Sequence, residues 1–239
     1  MKILITGGAS GLGRSIAETL CANKDNEVII TYANSKDKAE SLEAQFSNCT
    51  KLKCNFRDAA SIESTKAFIT ESEIDCIVNN AFTGIFKKHF YKIPGEEFTR
   101  SFEENIMPVI GLTQAAINVF RKKKYGKIIN ILSSAMFGNP PIGWSMYIAE
   151  KNYMYALHKC WAAELKTKNI TSNCVSPTFM MTNLNKDTDE RMITQMLNAH
   201  PLKEFLKPEE VAKSVEYLVG ASQHVNGTNI IINAGENVI

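Results

Sequence analysis

Long hydrophobic runs and an excess of one charge are both missing from this chain of 239 residues. No stretch approaches the roughly 18 consecutive apolar residues that a membrane-spanning helix needs. The chain has 27 Lys and Arg against 25 Asp and Glu, a formal net charge of +2. A domain that binds nucleic acid usually carries a strongly basic face. The sequence therefore predicts neither a membrane-spanning protein nor a nucleic-acid binder.

A secretory signal is missing as well. Lys2 is followed by only three apolar residues before Thr6-Gly7-Gly8, whereas the apolar core of a signal peptide spans about 7–15 residues. We therefore expect a cytoplasmic protein, in which thiols stay reduced.

The chain also lacks the spacing of Cys and His residues that is typical of metal sites. The six cysteines include no Cys-x-x-Cys, and the four histidines lie far apart with no pair at i, i+4. Zinc sites usually show such spacing, so the sequence predicts no metal site.

What the chain does have is an alternation of short runs rich in Val and Ile with longer amphipathic segments. Ile3–Ile5 and Val28–Ile30 are continuously apolar, as expected for strands buried on both faces. Strand–helix alternation implies right-handed crossovers and a parallel sheet. The sequence therefore predicts one domain over residues 1–239: an α/β, Rossmann-type, doubly wound, seven-stranded parallel sheet with helices on both faces. The predicted strands are 3–5, 28–30, 52–54, 74–78, 127–132, 171–175 and 229–232.

One long irregular region follows the sixth strand, from about residue 177 to 208. It contains a predicted short helix near 189–197. Connections of this length are usually functional, and ligands of open parallel sheets bind beyond the carboxyl ends of the strands. We expect this region to be a lid-like substrate loop.

A glycine-rich turn joins the first strand to the first helix. In Thr6-Gly7-Gly8-Ala9-Ser10-Gly11-Leu12-Gly13, the glycines permit a tight turn, and the helix start offers free N–H groups to a pyrophosphate. Strand, turn and helix occur in the order that a dinucleotide site requires.

The end of the second strand bears on the choice between NADP and NAD. It reads Tyr32-Ala33-Asn34-Ser35-Lys36, with no acidic residue before Asp37. An acidic residue there would bind the ribose hydroxyls and repel a 2′-phosphate. We expect NADP(H) to be favoured over NAD(H), with Lys36 and Arg14 near the phosphate; the alternative is that these residues only cap the next helix.

The pattern Tyr-x-x-x-Lys occurs three times, beginning at residues 32, 147 and 155. Only the pair Tyr147 and Lys151 follows a serine, Ser134, at the end of a strong strand thirteen residues earlier. On a helix these two side chains share one face. A nearby ammonium lowers the pKa of a tyrosine toward the working range, and a serine hydroxyl polarises a carbonyl. The three residues suit protonation of an alkoxide after hydride transfer.

In these motifs the chain resembles the short-chain dehydrogenase/reductase superfamily in its single-domain form, from residue 2 to 235. Within that family it is most similar overall to 3-oxoacyl-(acyl carrier protein) reductases and related ketoreductases. Asn79-Asn80-Ala81 falls in family order, and Asn105 matches a helix asparagine that supports a proton relay through the lysine. The resemblance implies catalytic residues Asn105, Ser134, Tyr147 and Lys151, and substrate contacts from Ser134, Met136, Trp144 and Met180. The implied cofactor contacts are Gly7, Ser10, Gly11, Leu12, Gly13, Tyr32, Asn34, Asn55, Asn79, Ala81, Tyr147, Lys151, Pro177 and Thr182.

Several positions depart from the family pattern. Phe82 stands where a glycine usually follows Asn-Asn-Ala, and Thr178 stands where a glycine usually follows the proline. Asn55 replaces an aspartate often found near the adenine, and Glu150 replaces a small residue before the lysine. None of these departures removes a catalytic group.

The expected partners follow from the same resemblance. The substrate is a small carbonyl or alcohol, and the basic run Arg121–Lys124, with Lys127 and Lys168, would receive an acidic acyl carrier protein. The alternative is a solvated helix end that complements the helix dipole. The family also implies a homodimer or homotetramer.

Two other functions stay open at this point. One is an enzyme of secondary metabolism or surface-sugar synthesis that acts on a polar carbonyl. The other is a non-catalytic dinucleotide-binding protein that kept the fold. The full set of Ser134, Tyr147, Lys151 and Asn105 argues against the latter, because packing does not need these polar groups.

Overall fold

The computed structural model of the chain describes residues 1–182 and 190–238. Its strands are β1 Lys2–Ile5, β2 Glu27–Tyr32, β3 Cys49–Lys53, β4 Cys76–Asn79, β5 Gly126–Ile131, β6 Ile170–Pro177 and β7 Asn229–Ile232. Its helices are α1 Gly11–Ala22, α2 Lys36–Gln45, α3 Ala59–Ser72, α4 Gly95–Lys123, α5 Ser145–Leu165, α6 Glu190–Ala199 and α7 Pro208–Gly220.

The strands form one parallel sheet in the order β3-β2-β1-β4-β5-β6-β7. Every residue of β5 and of β6 is buried, because helices cover both faces. Along β1, Ile3 and Ile5 pack into one core while Leu4 packs into the other, as the twofold period of a strand dictates. The predicted doubly wound sheet is confirmed.

Two hydrophobic cores hold the helices on the sheet. On one face, α1, α2 and α7 contribute buried apolar side chains, and on the other face α3, α4 and α5 do so. The chain runs from β1 outward to β3 and then returns to β4 on the other side of β1. The strand order therefore reverses between β1 and β4, and at such a point a crevice opens beyond the carboxyl ends of the strands.

The segment predicted as a lid is described in part. Helix α6 lies where the short helix was expected, whereas residues 183–189 lie outside the described residues, so the lid remains a prediction. Across the described ranges, no helix is both long enough and apolar enough to cross a membrane. The same ranges contain no group of three or more His, Cys, Asp or Glu side chains placed to hold a metal ion.

Candidate active site

A cavity of about 730 Å³ opens at the carboxyl ends of the central strands. Its volume lies within the range of small-molecule and cofactor sites. The glycine-rich turn lines the cavity, and so do Tyr147 and Lys151. The fold thus brings together two motifs that lie more than a hundred residues apart in the sequence.

The glycine-rich turn is built for close backbone approach. Gly7 and Gly11 have φ of +66° and +53°, a left-handed conformation that glycine adopts without strain. A Cβ atom on Gly13 would lie 2.2 Å from the carbonyl oxygen of Gly7. Ser10 precedes α1 without a side-chain capping bond to any described residue, so the first N–H groups of the helix are left for a ligand.

The segment after β4 is tied to this turn by hydrogen bonds. The Thr6 hydroxyl oxygen accepts from the backbone N–H of Asn80 at 2.9 Å and of Ala81 at 3.0 Å. The Asn80 side-chain amide donates to the Thr6 carbonyl at 2.9 Å. These bonds hold Ala81 and the residue after it at the cavity wall.

At the end of β2, residues 32–35 line the cavity and include no carboxylate. Arg14 and Lys36 were expected to accept a 2′-phosphate, but neither lines the cavity. Arg14 pairs with Glu18 at 2.8 Å, since both lie on one face of α1. Arg57, which no sequence pattern indicated, lines the cavity instead and pairs with Glu104 at 2.7 Å. Arg57 lies in the loop after β3. Its place at the cavity depends on how β3 pairs with β2, and no local sequence pattern indicates that.

Tyr147 lies on α5, with Lys151 one turn further along the same face. The Tyr147 ring packs edge-on against Phe82 and Trp144, at centroid distances of 5.2 and 5.5 Å. Burial raises the pKa of Tyr147 to about 12, against a smaller lowering by a hydrogen bond with the Ser133 hydroxyl. Tyr147 is therefore protonated at neutral pH.

Lys151 is held by a carbonyl group and an aromatic ring. Its ammonium donates to the Ile131 carbonyl at 2.8 Å and lies 4.7 Å from the centroid of the Phe82 ring. Burial lowers the pKa of Lys151 to about 8, and the Glu150 carboxylate opposes that shift. The expectation that Lys151 brings the Tyr147 pKa down is not met, because burial of the phenol dominates.

Of the two adjacent serines that line the cavity, Ser133 is the one whose hydroxyl lowers the pKa of Tyr147. Ser133 keeps an extended backbone, with φ −158° and ψ 139°, and Ser134 begins a short 3₁₀ turn. The backbone therefore changes direction between the two serines. Ser134 also lines the cavity, but its side chain has no hydrogen-bond partner among the described residues. The structure thus favours Ser133 as the hydroxyl beside the phenol, and the catalytic role expected of Ser134 stays a prediction.

Asn105 faces the segment after β4 rather than Lys151. Its amide oxygen accepts from the backbone N–H and the hydroxyl of Thr83 at 2.8 and 2.9 Å. Its amide nitrogen donates to the Ser101 hydroxyl at 3.3 Å and to the Glu150 carboxylate at 3.4 Å. The side chain is 2% exposed and does not line the cavity.

Two other predicted contacts also lie outside the cavity lining. The amide of Asn79 donates to Thr113 at 3.0 Å and to Asn130 at 2.9 Å within the core. Met136 packs into the core between the sheet and α4 and α5. Neither side chain lines the cavity, and their expected contacts with cofactor and substrate stay predictions. The other predicted cofactor residues, and Trp144 and Met180, line the cavity.

The basic run lies at the amino end of β5. Helix α4 ends at Lys123, just before the amino end of β5, whereas the cavity lies at the carboxyl ends. Lys123 pairs with Asp75. Lys127 is buried and donates to the carbonyls of Leu218 at 3.3 Å and Ala221 at 2.5 Å. Lys123 and Lys127 thus hold elements of the fold together, and a carrier surface at the rest of this run stays a prediction.

Known proteins resemble this chain over nearly its whole length. A family model described as Enoyl-(Acyl carrier protein) reductase matches residues 7–237. Nodulation protein G of Rhizobium sp. (strain N33) is 30% identical over 240 residues, covering 98% of this chain and 96% of that protein. The 3-oxoacyl-(acyl-carrier-protein) reductase FabG of Staphylococcus aureus (strain Mu50) is 31% identical over 244 residues, covering 97% and 96%.

Solved structures have the same fold. A short chain dehydrogenase from Burkholderia cenocepacia J2315 in complex with NADP is 26% identical, with a TM-score of 0.86, covering 99% of this chain and 97% of that one. A 3-ketoacyl-(acyl-carrier-protein) reductase from Brucella melitensis complexed with NADH has a TM-score of 0.89 at 23% identity, covering 99% and 98%.

Proposed function

The chain belongs to the short-chain dehydrogenase/reductase family, and we propose that it is an NADP-dependent reductase of 3-oxoacyl thioesters or similar ketones. It is an oxidoreductase that acts on C=O and CH–OH groups by way of a nicotinamide cofactor. One observation carries the proposal: Tyr147 and Lys151 line the same cavity as the glycine-rich turn. A proton donor thus lies in the same cavity as a turn suited to a dinucleotide.

The residues at the turn fit a dinucleotide. The uncapped start of α1 offers N–H groups to a pyrophosphate, and the cradle at Gly13 has no room for a Cβ atom. When bound, the cofactor supplies the hydride that reduces the carbonyl carbon.

The protein supplies the proton. Tyr147 carries its proton at neutral pH, since burial raises its pKa to about 12, and an alkoxide is a strong enough base to take it. The Ser133 hydroxyl, beside the phenol, donates to the substrate carbonyl oxygen and stabilises the charge that develops there. Lys151 binds the cofactor ribose and holds positive charge near the phenol. In the oxidative direction Tyr147 acts as the base.

The preference for NADP rests on the lack of a carboxylate in residues 32–35 and on Arg57 at the cavity wall. Asn34→Asp tests it, because two unit charges about 6 Å apart interact by about 3 kcal/mol at an effective dielectric constant of ~20. We expect this variant to lower the ratio of NADPH to NADH affinity by about tenfold or more in fluorescence titrations, and Asn34→Ser to change it little. Tighter binding of NADH than of NADPH by the unchanged protein would overturn the NADP assignment.

An apolar wall supports the choice of acyl substrates. Phe82, Ile85, Trp144 and Phe179 line the cavity in one apolar cluster with Tyr147. Met180 also lines the cavity, and such a lining suits an acyl chain better than a sugar. NADPH consumption with acyl thioesters is to be compared with that on sugar-derived ketones. Faster turnover of the sugar-derived ketones would reverse this choice. Binding of an acyl carrier protein, assembly into an oligomer and a cytoplasmic location stay predictions.

Tyr147→Phe is the central test of the function. Removing the general acid lowers turnover by about 10²-fold or more, while NADPH affinity stays close to that of the unchanged protein. Tyr155→Phe is the matched control, because Tyr155 also begins a Tyr-x-x-x-Lys pattern but stacks on His158 and does not line the cavity. Full turnover by the Tyr147→Phe variant would refute the proposed mechanism.

A further inference from the structure

Two of the departures from the family pattern, Phe82 and Glu150, lie at the two ends of one path of contacts. At the cavity end, the Phe82 ring packs on Tyr147 at 5.2 Å and lies 4.7 Å from the Lys151 ammonium. A ring in this position excludes water from the phenol and attracts the cation through its π face. Phe82 thus contacts both groups to which the proposed function assigns the proton and the cofactor ribose.

The next residue along the chain anchors Phe82 to α4. The backbone N–H and the hydroxyl of Thr83 both donate to the Asn105 amide oxygen, at 2.8 and 2.9 Å. Two donors on one oxygen require the amide to present its oxygen, and not its NH₂ group, to Thr83. The position of the ring therefore depends on the orientation of the Asn105 amide.

Glu150 sets that orientation from the other side. Its carboxylate accepts from the Asn105 amide nitrogen at 3.4 Å and also contacts the Ser101 hydroxyl, which accepts from the same nitrogen at 3.3 Å. Glu150 is 6% exposed and forms no ion pair within the described parts of the chain. A carboxyl group buried in this way costs free energy, and its hydrogen-bonding contacts lie on the side away from the cavity.

We propose that Glu150 is a positioning residue that acts through Asn105 and Thr83 to hold Phe82 against Tyr147 and Lys151. A small residue in its place would leave the Asn105 amide with the single Ser101 acceptor. The inference rests on the proposed function only in taking Tyr147 and Lys151 as contacts of the cofactor.

The affinity for NADPH, titrated by fluorescence, tests the proposal without any ketone. We expect Glu150→Ala to weaken NADPH binding about tenfold, within the range found for coupled residues in contact. Glu150→Gln keeps an acceptor oxygen and is expected to bind NADPH within about twofold of the unchanged protein. Glu164→Ala, a change at an exposed glutamate of the same helix, is the matched control with unchanged affinity. If Glu150→Ala fails to fold, Glu150→Asp replaces it, because the shorter side chain withdraws its carboxylate from Asn105.

The decisive comparison repeats these changes in a Phe82→Ala background. If Glu150 acts by holding the Phe82 ring, Glu150→Ala weakens binding there by less than about twofold, because the ring is already gone. The same tenfold loss in both backgrounds would overturn the proposal, as would unchanged affinity of the Glu150→Ala single variant or equal losses for Ala and Gln. If the protein binds NADPH but reduces no ketone, the proposed function is overturned. The role of Glu150 can still be tested in that case, because the test measures only NADPH affinity.

Discussion

Two adjacent serines, Ser133 and Ser134, allow a direct test of how the end of β5 positions a hydroxyl group. The Ser133 hydroxyl hydrogen-bonds with Tyr147 and opposes the rise of the Tyr147 pKa. Ser134 lines the same cavity but makes no such contact among the described residues. Ser133→Ala therefore removes the hydroxyl that contacts Tyr147, whereas Ser134→Ala removes a neighbouring hydroxyl that makes no such contact.

The expected magnitudes follow from these contacts. Removing one preorganised donor at a developing oxyanion lowers kcat by about 10²–10³-fold, and we expect this for Ser133→Ala. The Ser133 hydroxyl oxygen also accepts from the backbone N–H of Ala135 at 3.2 Å. Losing that cap costs about 1 kcal/mol of folding free energy, too little to unfold a domain of ordinary stability. We expect Ser134→Ala to change kcat by less than about threefold, because it removes no hydrogen bond.

The assay is the initial rate of NADPH consumption with the best ketone found in the substrate screen. NADPH affinity and thermal unfolding are measured on the same preparations, so that a loss of rate is not mistaken for a loss of binding or of folded protein. If Ser134→Ala loses activity while Ser133→Ala keeps it, the structural reasoning at this strand end is wrong.

Two further predictions concern buried titratable groups. Burial lowers the Lys151 pKa from 10.5 to about 8, so the unfolded chain binds the proton more tightly and the charged lysine costs about 3 kcal/mol of stability below pH 8. Lys151→Met removes this cost but leaves the Ile131 carbonyl without its donor. We therefore expect the variant to be about 1–2 kcal/mol more stable than the unchanged protein at pH 7 in urea unfolding, with turnover lost. A variant less stable than the unchanged protein would contradict this. Burial also lowers the His158 pKa from 6.5 to about 4, so stability falls by about 3 kcal/mol as the pH drops from 6.5 to 4. In His158→Asn, which can still reach Ser172, this pH dependence should be largely absent, and an unchanged acid unfolding curve would show that another group is responsible.

The fold and one half of the site were predictable because their signals are local. The apolar runs of β1 and β2, the glycines at 7, 11 and 13, and the Tyr147–Lys151 spacing each lie within a few residues of one another. Backbone geometry converts such short patterns directly into a strand, a turn or a shared helix face. Each lies where the pattern indicated.

The other half of the site was not predictable in the same way. The choice between Ser133 and Ser134 depends on the residue at which β5 stops being extended, and a shift of one residue reverses the side that a side chain faces. The contacts of Asn79 and Met136 with the core depend on the same kind of detail, and the position of Arg57 depends on how β3 pairs with β2. The position of Lys127 under α7 depends on packing between segments about 90 residues apart.

The amino-acid sequence by itself determined the kind of chemistry, because a phosphate-binding turn and a phenol one helical turn from an ammonium are properties of short segments. Only the tertiary structure decided what surrounds the phenol. Burial by Phe82 and Trp144, the hydroxyl of Ser133 and the support from Glu150 through Asn105 come from four separate stretches of chain. Their effects on charge and hydrogen bonding depend on distances in space, which a linear pattern does not contain.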